Sequence, residues 1–576
     1  MPEPWLEVLR RNRLLFSLNR FWLYRYELWV KPETATDQPK TYRNYIETVE
    51  SALEASVETA ECVLLVLVPK FNAAELGKTL DAARGSFSRV VLWCEAQERQ
   101  TCENWLAGRE TDAIVHCCSS PIELKAHQDG EYPWFVLYQG DRPAARAGSA
   151  LFAFNKSNAK VGYTDLDRLT ETGERQKPAF LPDWNPDLHL STAYVATGVW
   201  VRHPEWLFDG EFSLSLTPVG LAAWLAEGFI QGKLRQVGHL PQVLVHRSAD
   251  NDFSMSCWQK ALRPKLSGRA HVALNDAAES LTLGWQHDVR PLVSLIIPTF
   301  NGKALVQTCI ESILQKSTYQ NFEILLVDNN SNEPESLVYF DEIAQHPKVR
   351  LLHYPHPFNY SAINNFAARQ AQGEILGLVN NDIEVIAPDW LEQMVGHVLR
   401  DDIGCVGAKL LYPDGRIQHA GVVMGYGGGA GHAHKHFPSD HSGYLKRLVA
   451  SHNFSAVTAA CLLIKKRHYE QVGGFNEQKF AVAFNDVDLC LRVLDLGVRN
   501  LYCAEALLYH HESVSRGHED TPEKMARFAS EVAHLQQDWK AVIEHDPAYN
   551  PNLTLRSENF VLKVPGIPAA ICSIHE

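Results

Sequence analysis

Cysteine is scarce, 12 in 576 residues, and no two form a C-x-x-C pair. Cys117 and Cys118 are adjacent, a spacing that suits neither a zinc ribbon nor a disulfide framework; reduced thiols in a cytosol fit better. Long apolar runs are missing as well. The clean ones, such as Val63–Val68, have the length of a strand, far short of the roughly 20 residues of a membrane span. The first residues, MPEPWLEVLRRNRLLF, mix charges into their apolar positions, unlike a signal peptide. Positive charge is not in excess: 54 Lys and Arg stand against 68 Asp and Glu, a formal net charge of −14. That excludes the broadly basic face wanted by nucleic acid or an anionic membrane. No G-x-G-x-x-G follows the first strand of either half of the chain, so a nicotinamide-dinucleotide fingerprint is lacking.

Hydrophobic residues at 45% and charged residues at 21% describe a globular protein. The length calls for two to four domains. Residues 1–55 read as a helical lead-in with an aromatic stretch (FWLYRYELWV), packed on a neighbouring domain or serving as a peripheral membrane or partner-binding helix. Over 56–285, CVLLVLVPK, AAELGKTLDAA and RVVLWCEA alternate strand, helix and strand, with a polar stretch after about 250. From 290 to 576 the rhythm restarts as LVSLII, KALVQTCIESILQK, EILLVD, VRLLHY, YSAINNFAARQA and EILGLVN. VPKFNAAELGKTL echoes IPTFNGKALVQTC, the mark of an internal repeat. One helix, TPEKMARFASEVAHLQQDWKAVI, and an extended tail end the chain. The expected fold is α/β, with two Rossmann-like domains around mostly parallel sheets.

Polar clusters stand where strands of the second half end: Thr299 and Asn301, then Asp328, then Asn380, Asn381 and Asp382, with Asn365 on the helix before the third. Ligands of open parallel sheets bind beyond those ends. Asp382 is a hard oxygen ligand suited to Mg²⁺ or Mn²⁺ on a diphosphate, whereas Asn380 is neutral and better fitted to ribose or a metal-bound water. In AFNDVDLCLRV, Val487, Cys490, Leu491 and Leu494 form a helical stripe; Asn485 is expected to cap it and Asp486 to lie in the first turn, where the helix dipole favours a charged carboxylate. His510 or His511 supplies a nitrogen near the end of the last strand. The four histidines of GHAHKHFPSDH match no compact zinc spacing, and the stretch reads instead as a glycine-rich active-site loop.

The ordered strings VSLIIPTFNG, FEILLVDNNS, NYSAINNFAA, LVNNDIEVIAPDWLE, IQHAGVVMG, TAACLLIKK, VGGFNE, AFNDVDLCLRV and LYHHESVSRG resemble the family 2 glycosyltransferases, which have the GT-A fold. The similarity is to the bacterial surface-polysaccharide branch, O-antigen and rhamnosyltransferase-like. It implies an inverting transfer from a nucleotide-sugar donor, dTDP-rhamnose-like or UDP-linked, to a glycan or lipid-linked glycan. It further implies that Thr299, Asn301, Asp328, Asn365, Asn380 and Asn381 hold the donor, that Asp382 and His510 bind Mn²⁺ or Mg²⁺, and that Asp486 is the base. The first acid of the family's D-x-D is Asn380 here. A cytoplasmic enzyme at the inner face of the membrane, in lipopolysaccharide biosynthesis, would follow.

The first half resembles the same family in a degraded form, through GYTDLDRL, FLPDWNPDLHLSTAYV and HLPQVLVHR. It has Trp93-Cys94-Glu95 where a base-contacting Asp is expected, Tyr138-Gln139-Gly140-Asp141 for D-x-D, and no acid opening LTPVGLAAWLAEG. It is expected to be non-catalytic, with Asp165 and Asp167 as the residues of an alternative second site. The other functional readings are a protein (flagellin-type) glycosyltransferase and a carbohydrate-binding scaffold of two decayed domains.

Overall fold

The computed structural model describes residues 32–54, 62–111, 113–127, 132–154, 159–209, 212–511 and 521–563. The aromatic stretch of the lead-in lies outside them; its continuation is helical over Pro39–Tyr45, through a π turn at Ile46–Glu50, to Ser51–Glu54.

Each half is built on one large mixed sheet. In the second half, Val349–His353, Phe322–Asp328, Val293–Thr299 and Ile375–Val379 lie side by side and parallel. Cys461–Lys465 then runs antiparallel, followed by Ile403–Leu411, Arg499–His510 parallel to it, and the short edge strand Ile383–Val385. The first half repeats this order and these directions strand for strand: Ile114–Cys118, Arg89–Cys94, Val63–Val68, Trp134–Tyr138, Val199–Val201, Val161–Leu169, Gly238–Arg247 and Arg142–Pro143. The repeat read from one pair of short strings therefore extends over two whole sheets. Central strands such as Val63–Val68 are buried at every position, because helices cover both faces of a parallel sheet and leave no solvated side to alternate toward.

The polar stretch after about residue 250 forms a packed unit. Helix Met255–Leu262 and the hairpin of Ala270–Asn275 with Ser280–Trp285 bury Trp258, Leu262, Val272, Leu281 and Leu283 against Leu190, Ala222 and Ala226. Its strands are half polar, so their average composition hides an alternating buried face.

Charge fastens the halves together. Asp187 of the first half, 2% exposed, meets Arg400 Nη1 at 2.6 Å and Arg499 Nη2 at 3.4 Å. Burial raises its pKa, but Arg400 and then Arg499 outweigh that, and its carboxyl stays well below the ordinary range. Trp285 stacks under the same Arg400 guanidinium, 4.1 Å away. Asn185 and Asn453 exchange side-chain-to-backbone hydrogen bonds at 2.8 and 3.0 Å. The tail after the last helix runs along this seam, where Asn550 Nδ2 donates to Asp165 and to Leu181 O. His239 stands between Asp165 (2.9 Å) and Asp183 (3.0 Å). Burial alone would lower its pKa; the two carboxylates, Asp165 first, raise it to about 9.

Two predictions follow from these charges. Asp187→Ala leaves two buried or half-buried guanidiniums sharing only Asp402, and should cost about 3 kcal/mol, the low end for breaking a buried pair; denaturation at the wild-type midpoint would exclude the pair as a fastening. His239 is protonated in the fold up to about pH 9 but only to about 6.5 unfolded, so it contributes about 3 kcal/mol below pH 6.5 that is lost as pH rises through 9. The stability gap between wild type and His239→Gln should therefore shrink over that window; differencing removes the opposite trend of Lys409, which burial lowers to about 8. A gap constant from pH 6 to 10 would contradict the assignment.

Candidate active site

The parallel strands of the second sheet end at one edge. Thr299, the last residue of its strand, accepts at its hydroxyl from Asn381 Nδ2 at 3.1 Å, which ties the first polar loop to the third. Asn301 holds a left-handed backbone (φ 53°), and its side-chain oxygen accepts from the N–H groups of Asn332 and Glu333 at 2.8 and 3.1 Å. Asp328 accepts from Ser331 N at 3.0 Å, with His353 Nδ1 at 3.5 Å. These residues brace one another's loops around the strand ends.

Asn365 lies on the helix Tyr360–Ala368; its amide donates to Phe475 O and Glu477 Oε1 and accepts from Tyr469 OH and Phe475 N. It anchors the VGGFNE turn so closely that a Cβ on Gly474, itself at φ +71°, would sit 2.4 Å from its oxygen. A groove of about 530 Å³ opens there, lined by Asn365, Arg369, Lys466, Tyr469 and Glu477 but not by Asp382 or Asp486.

Asp486 and the loop that carries Asp382 are bonded to the same short segment, Thr458–Ala459–Ala460. Asn380 N donates to Ala460 O at 2.9 Å, which fixes the backbone leading to Asp382. Tyr360 OH reaches both Asn380 Oδ1 (3.2 Å) and Ala459 O (3.3 Å). On the other side of the same residue, Ala459 N donates to Asp486 Oδ2 at 3.0 Å. Asp486 Oδ1 accepts from Val487 N at 2.9 Å. Both partners are donors, so they orient the carboxylate and leave its remaining lone pairs to accept a proton.

The helix carrying Asp486 begins differently from expectation. Phe484, left-handed at φ 57°, is the cap; Asn485 is already the first helical residue, is 4% exposed, and turns its amide back to Val482 O at 2.9 Å. The loop ahead is pinned from outside: Glu531, on the helix Pro522–Asp538, accepts from Val482 N and Ala483 N at 2.9 and 3.2 Å. Tyr360, Ala459 and Glu531 were not singled out from sequence. Tyr360 lies inside NYSAINNFAA and Ala459 inside TAACLLIKK, but backbone contacts leave no residue-type signal.

A model described as Glycosyl transferase family 2 matches residues 294–473. This part of the chain is a family 2 glycosyl transferase domain. An uncharacterized protein, y4gI, of Sinorhizobium fredii is 44% identical over 428 residues, 71% of this chain and 46% of its own length. The O-antigen biosynthesis protein RfbC of Myxococcus xanthus is 35% identical over 445 residues, 73% of this chain and 33% of its own. The chain thus spans less than half of either relative. Among solved structures, a mannosyltransferase of Pyrobaculum calidifontis in complex with GDP-Man and Mn²⁺ is 18% identical, with a TM-score of 0.34, covering 53% of this chain and 78% of its own. No helix among the described residues is long and apolar enough to cross a membrane.

Beyond the matched residues, on the strand Arg499–His510, His510 Nε2 lies 3.2 Å from Asp382 Oδ1 and 3.3 Å from Asn380 Nδ2. Strand pairing makes this contact, since Ile383 is the register partner of His510. Two ligands at adjacent corners of an octahedron with bonds of about 2.1 Å are separated by about 3.0 Å, so this oxygen–nitrogen pair fits a divalent cation. His511 turns away to Glu384 at 3.1 Å. The other compact set of metal-ligand types among the described residues is His397, Cys503 and Glu505, with ligand atoms within 4.8 Å of one another. Arg400 Nη1 lies 3.4 Å from His397 Nδ1, and that fixed cation opposes a second one. The histidines of 431–441 do not gather: His434 accepts from Tyr444 N and stacks on Phe560, His436 stacks on Tyr412, and His441 accepts from Gly443 N.

The first half keeps some of these positions and fills them otherwise. Asp141 precedes the edge strand as Asp382 does, and His246 pairs with Arg142 as His510 pairs with Ile383. Yet Asp141 accepts from Thr197, Ser248 N and Asn251 at 2.7–3.0 Å, and His246 is bonded to Asp167 at 2.7 Å. The helix before the closing strand opens Gly220-Leu221, without an acid, and Tyr138 OH accepts from Leu221 N. Asp165 and Asp167 are fully buried and taken up by His239, Asn550, Tyr42 and Arg175.

Proposed function

We propose that the chain transfers a sugar, with inversion, from a nucleoside-diphosphate donor to a glycan hydroxyl in bacterial surface-polysaccharide synthesis. The observation that carries this reading is the meeting of Asp486 and the Asn380–Asp382 loop on two adjacent residues, Ala459 for the acid and Ala460 for the loop. The family 2 domain and the relative named for O-antigen biosynthesis support the reaction class. Thr299, Asn301, Asp328 and Asn381 line the strand ends where the nucleotide would lie, while Asn365 acts at one remove, through the VGGFNE turn. Asp382 and His510 would hold Mn²⁺ or Mg²⁺, which supplies a Lewis acid for the charge growing on the departing diphosphate. Asp486, held by two backbone N–H groups, takes the proton of the acceptor hydroxyl as its oxygen attacks the anomeric carbon. The first half, without an acid at the corresponding helix start, serves as a non-catalytic platform pinned through Asp187.

A panel of dTDP- and UDP-sugars, with release of nucleoside diphosphate followed with and without Mn²⁺, tests the reading. Asp486→Asn should lower turnover by about 100-fold or more while donor affinity holds; an active Asp486→Asn variant removes it as base. Asp382→Ala should weaken donor binding and abolish the metal response, and an unchanged metal titration would overturn that ligand.

A further inference from the structure

The helix Pro522–Asp538 lies outside the residues that the family model matches and takes no part in the steps above. It nonetheless reaches three pieces of chain around Asp486. Glu531, 2% exposed, spreads its two carboxylate oxygens over the N–H groups of Val482 and Ala483, at 2.9 and 3.2 Å, with Arg527 Nε 3.6 Å from the second oxygen. The ring of Phe528 lies 5.6 Å from that of Phe484. Just past the helix end, Trp539 Nε1 donates at 3.1 Å to Asp488 Oδ1, on the helix that carries Asp486. Gln536 Nε2 donates at 2.8 Å to Gly428 O, in the glycine-rich loop.

The backbone ahead of Asp486 needs such holding. Phe484 has φ 57° and ψ 10°, in the left-handed region, where a Cβ crowds the following carbonyl. A bulky residue stays there only when its surroundings over-determine it. Asp486 follows two residues later, so relaxation of Phe484 to ordinary dihedrals would swing the start of its helix and draw its carboxylate away from Ala459 N. Three contacts oppose that relaxation: Glu531 on the two preceding peptides, Phe528 on the ring, and Asn485 Nδ2 on Val482 O. Glu531 is the charged one among them. A carboxylate bonded to two successive N–H groups fixes two peptide planes at once, and bonds to a charged acceptor are the stronger kind. If packing were the only requirement at this buried position, an apolar residue would meet it without the cost of burying a charge.

We propose that Glu531 is a positioning residue for the base: by holding the Val482 and Ala483 peptides it sets the left-handed cap at Phe484 and, through that cap, the direction of the Asp486 carboxylate. This rests on the transferase reading above and adds to it a residue that acts through Asp486. Glu531→Ala should lower kcat about tenfold or more, since a misplacement of about 1 Å can cost about 100-fold, while donor KM holds. The number of UDP or dTDP sites per chain, counted by calorimetry, should stay at the wild-type value; a partly unfolded sample would lose sites and turnover together. The two losses should not add: once Asp486→Asn has removed the base, Glu531→Ala on top of it should change kcat by less than about twofold. Glu531→Gln keeps the size and one acceptor oxygen but turns an NH₂ group towards the other peptide N–H, so its kcat should fall less than that of Glu531→Ala. It carries the test if Glu531→Ala does not fold, and wild-type turnover in it then overturns the inference. So do an unchanged kcat in a folded Glu531→Ala, a loss of nucleotide sites equal to the loss of turnover, or additive losses in the double variant. A wild type inactive on every donor, or a fully active Asp486→Asn, instead removes the reading above, and this inference with it.

Discussion

The geometry of the second half depends on one stretch of backbone, Thr458–Ala459–Ala460, which leads into the antiparallel strand Cys461–Lys465 at the centre of the sheet. Its peptide groups receive or supply hydrogen bonds to the loop of Asp382, to the carboxylate of Asp486 and to the ring of His419. These peptides sit in the turn that enters the strand Cys461–Lys465, which is held by ladder bonds to Ile375–Val379 and Ile403–Leu411. Three chemically different groups thus share one reference frame. Side chains long enough to meet directly would add rotamer freedom that this arrangement removes.

The first half contributes rigidity to the same frame. Asp187, Asn185 and the Met255–Trp285 unit close against Arg400, Asn453 and Trp390–Val398, the elements that flank the sheet carrying the site. The tail threads between the halves, with Asn550 on Asp165 and Asp546 accepting from Ser455 and Met424 N on the far side. Buried ion pairs of this kind add little net stability compared with apolar packing, but they are costly to break. They therefore specify one orientation of the halves more than they strengthen it.

The fold was legible where burial is complete on both faces: VLLVLV is a continuous apolar run, and LVSLII and FEILLVD are nearly so, as buried parallel strands require. The hairpin Ala270–Trp285 was not, because its two strands bury only alternate residues. At the site, the polar residues at strand ends could be found from their order, but not that the loop of Asp382 bonds to Ala460 while Asp486 bonds to Ala459. The cap at Phe484 could not be found, since an aromatic residue in a left-handed conformation has no compositional signature. Nor could the use of Asn365: an asparagine that anchors a turn and one that reads a nucleotide look alike until their partners are known.

The two sheets also separate what a fold demands from what chemistry demands. Apolar cores accept many combinations of side chains at constant volume, and the first half keeps the strand order while exchanging most of its residues. A buried charged or polar group allows less exchange, because its partners must be kept with it. In the first half, Leu221 stands at the helix start and the buried Asp141 is saturated by three donors. A carboxylate that no longer faces a cation or substrate must be satisfied from within or be removed, because an unpaired buried charge costs more than the fold can spare. Thr197, Ser248 and Asn251 around Asp141 are what that satisfaction looks like, whereas Asp382 places its Oδ1 3.2 Å from His510 Nε2.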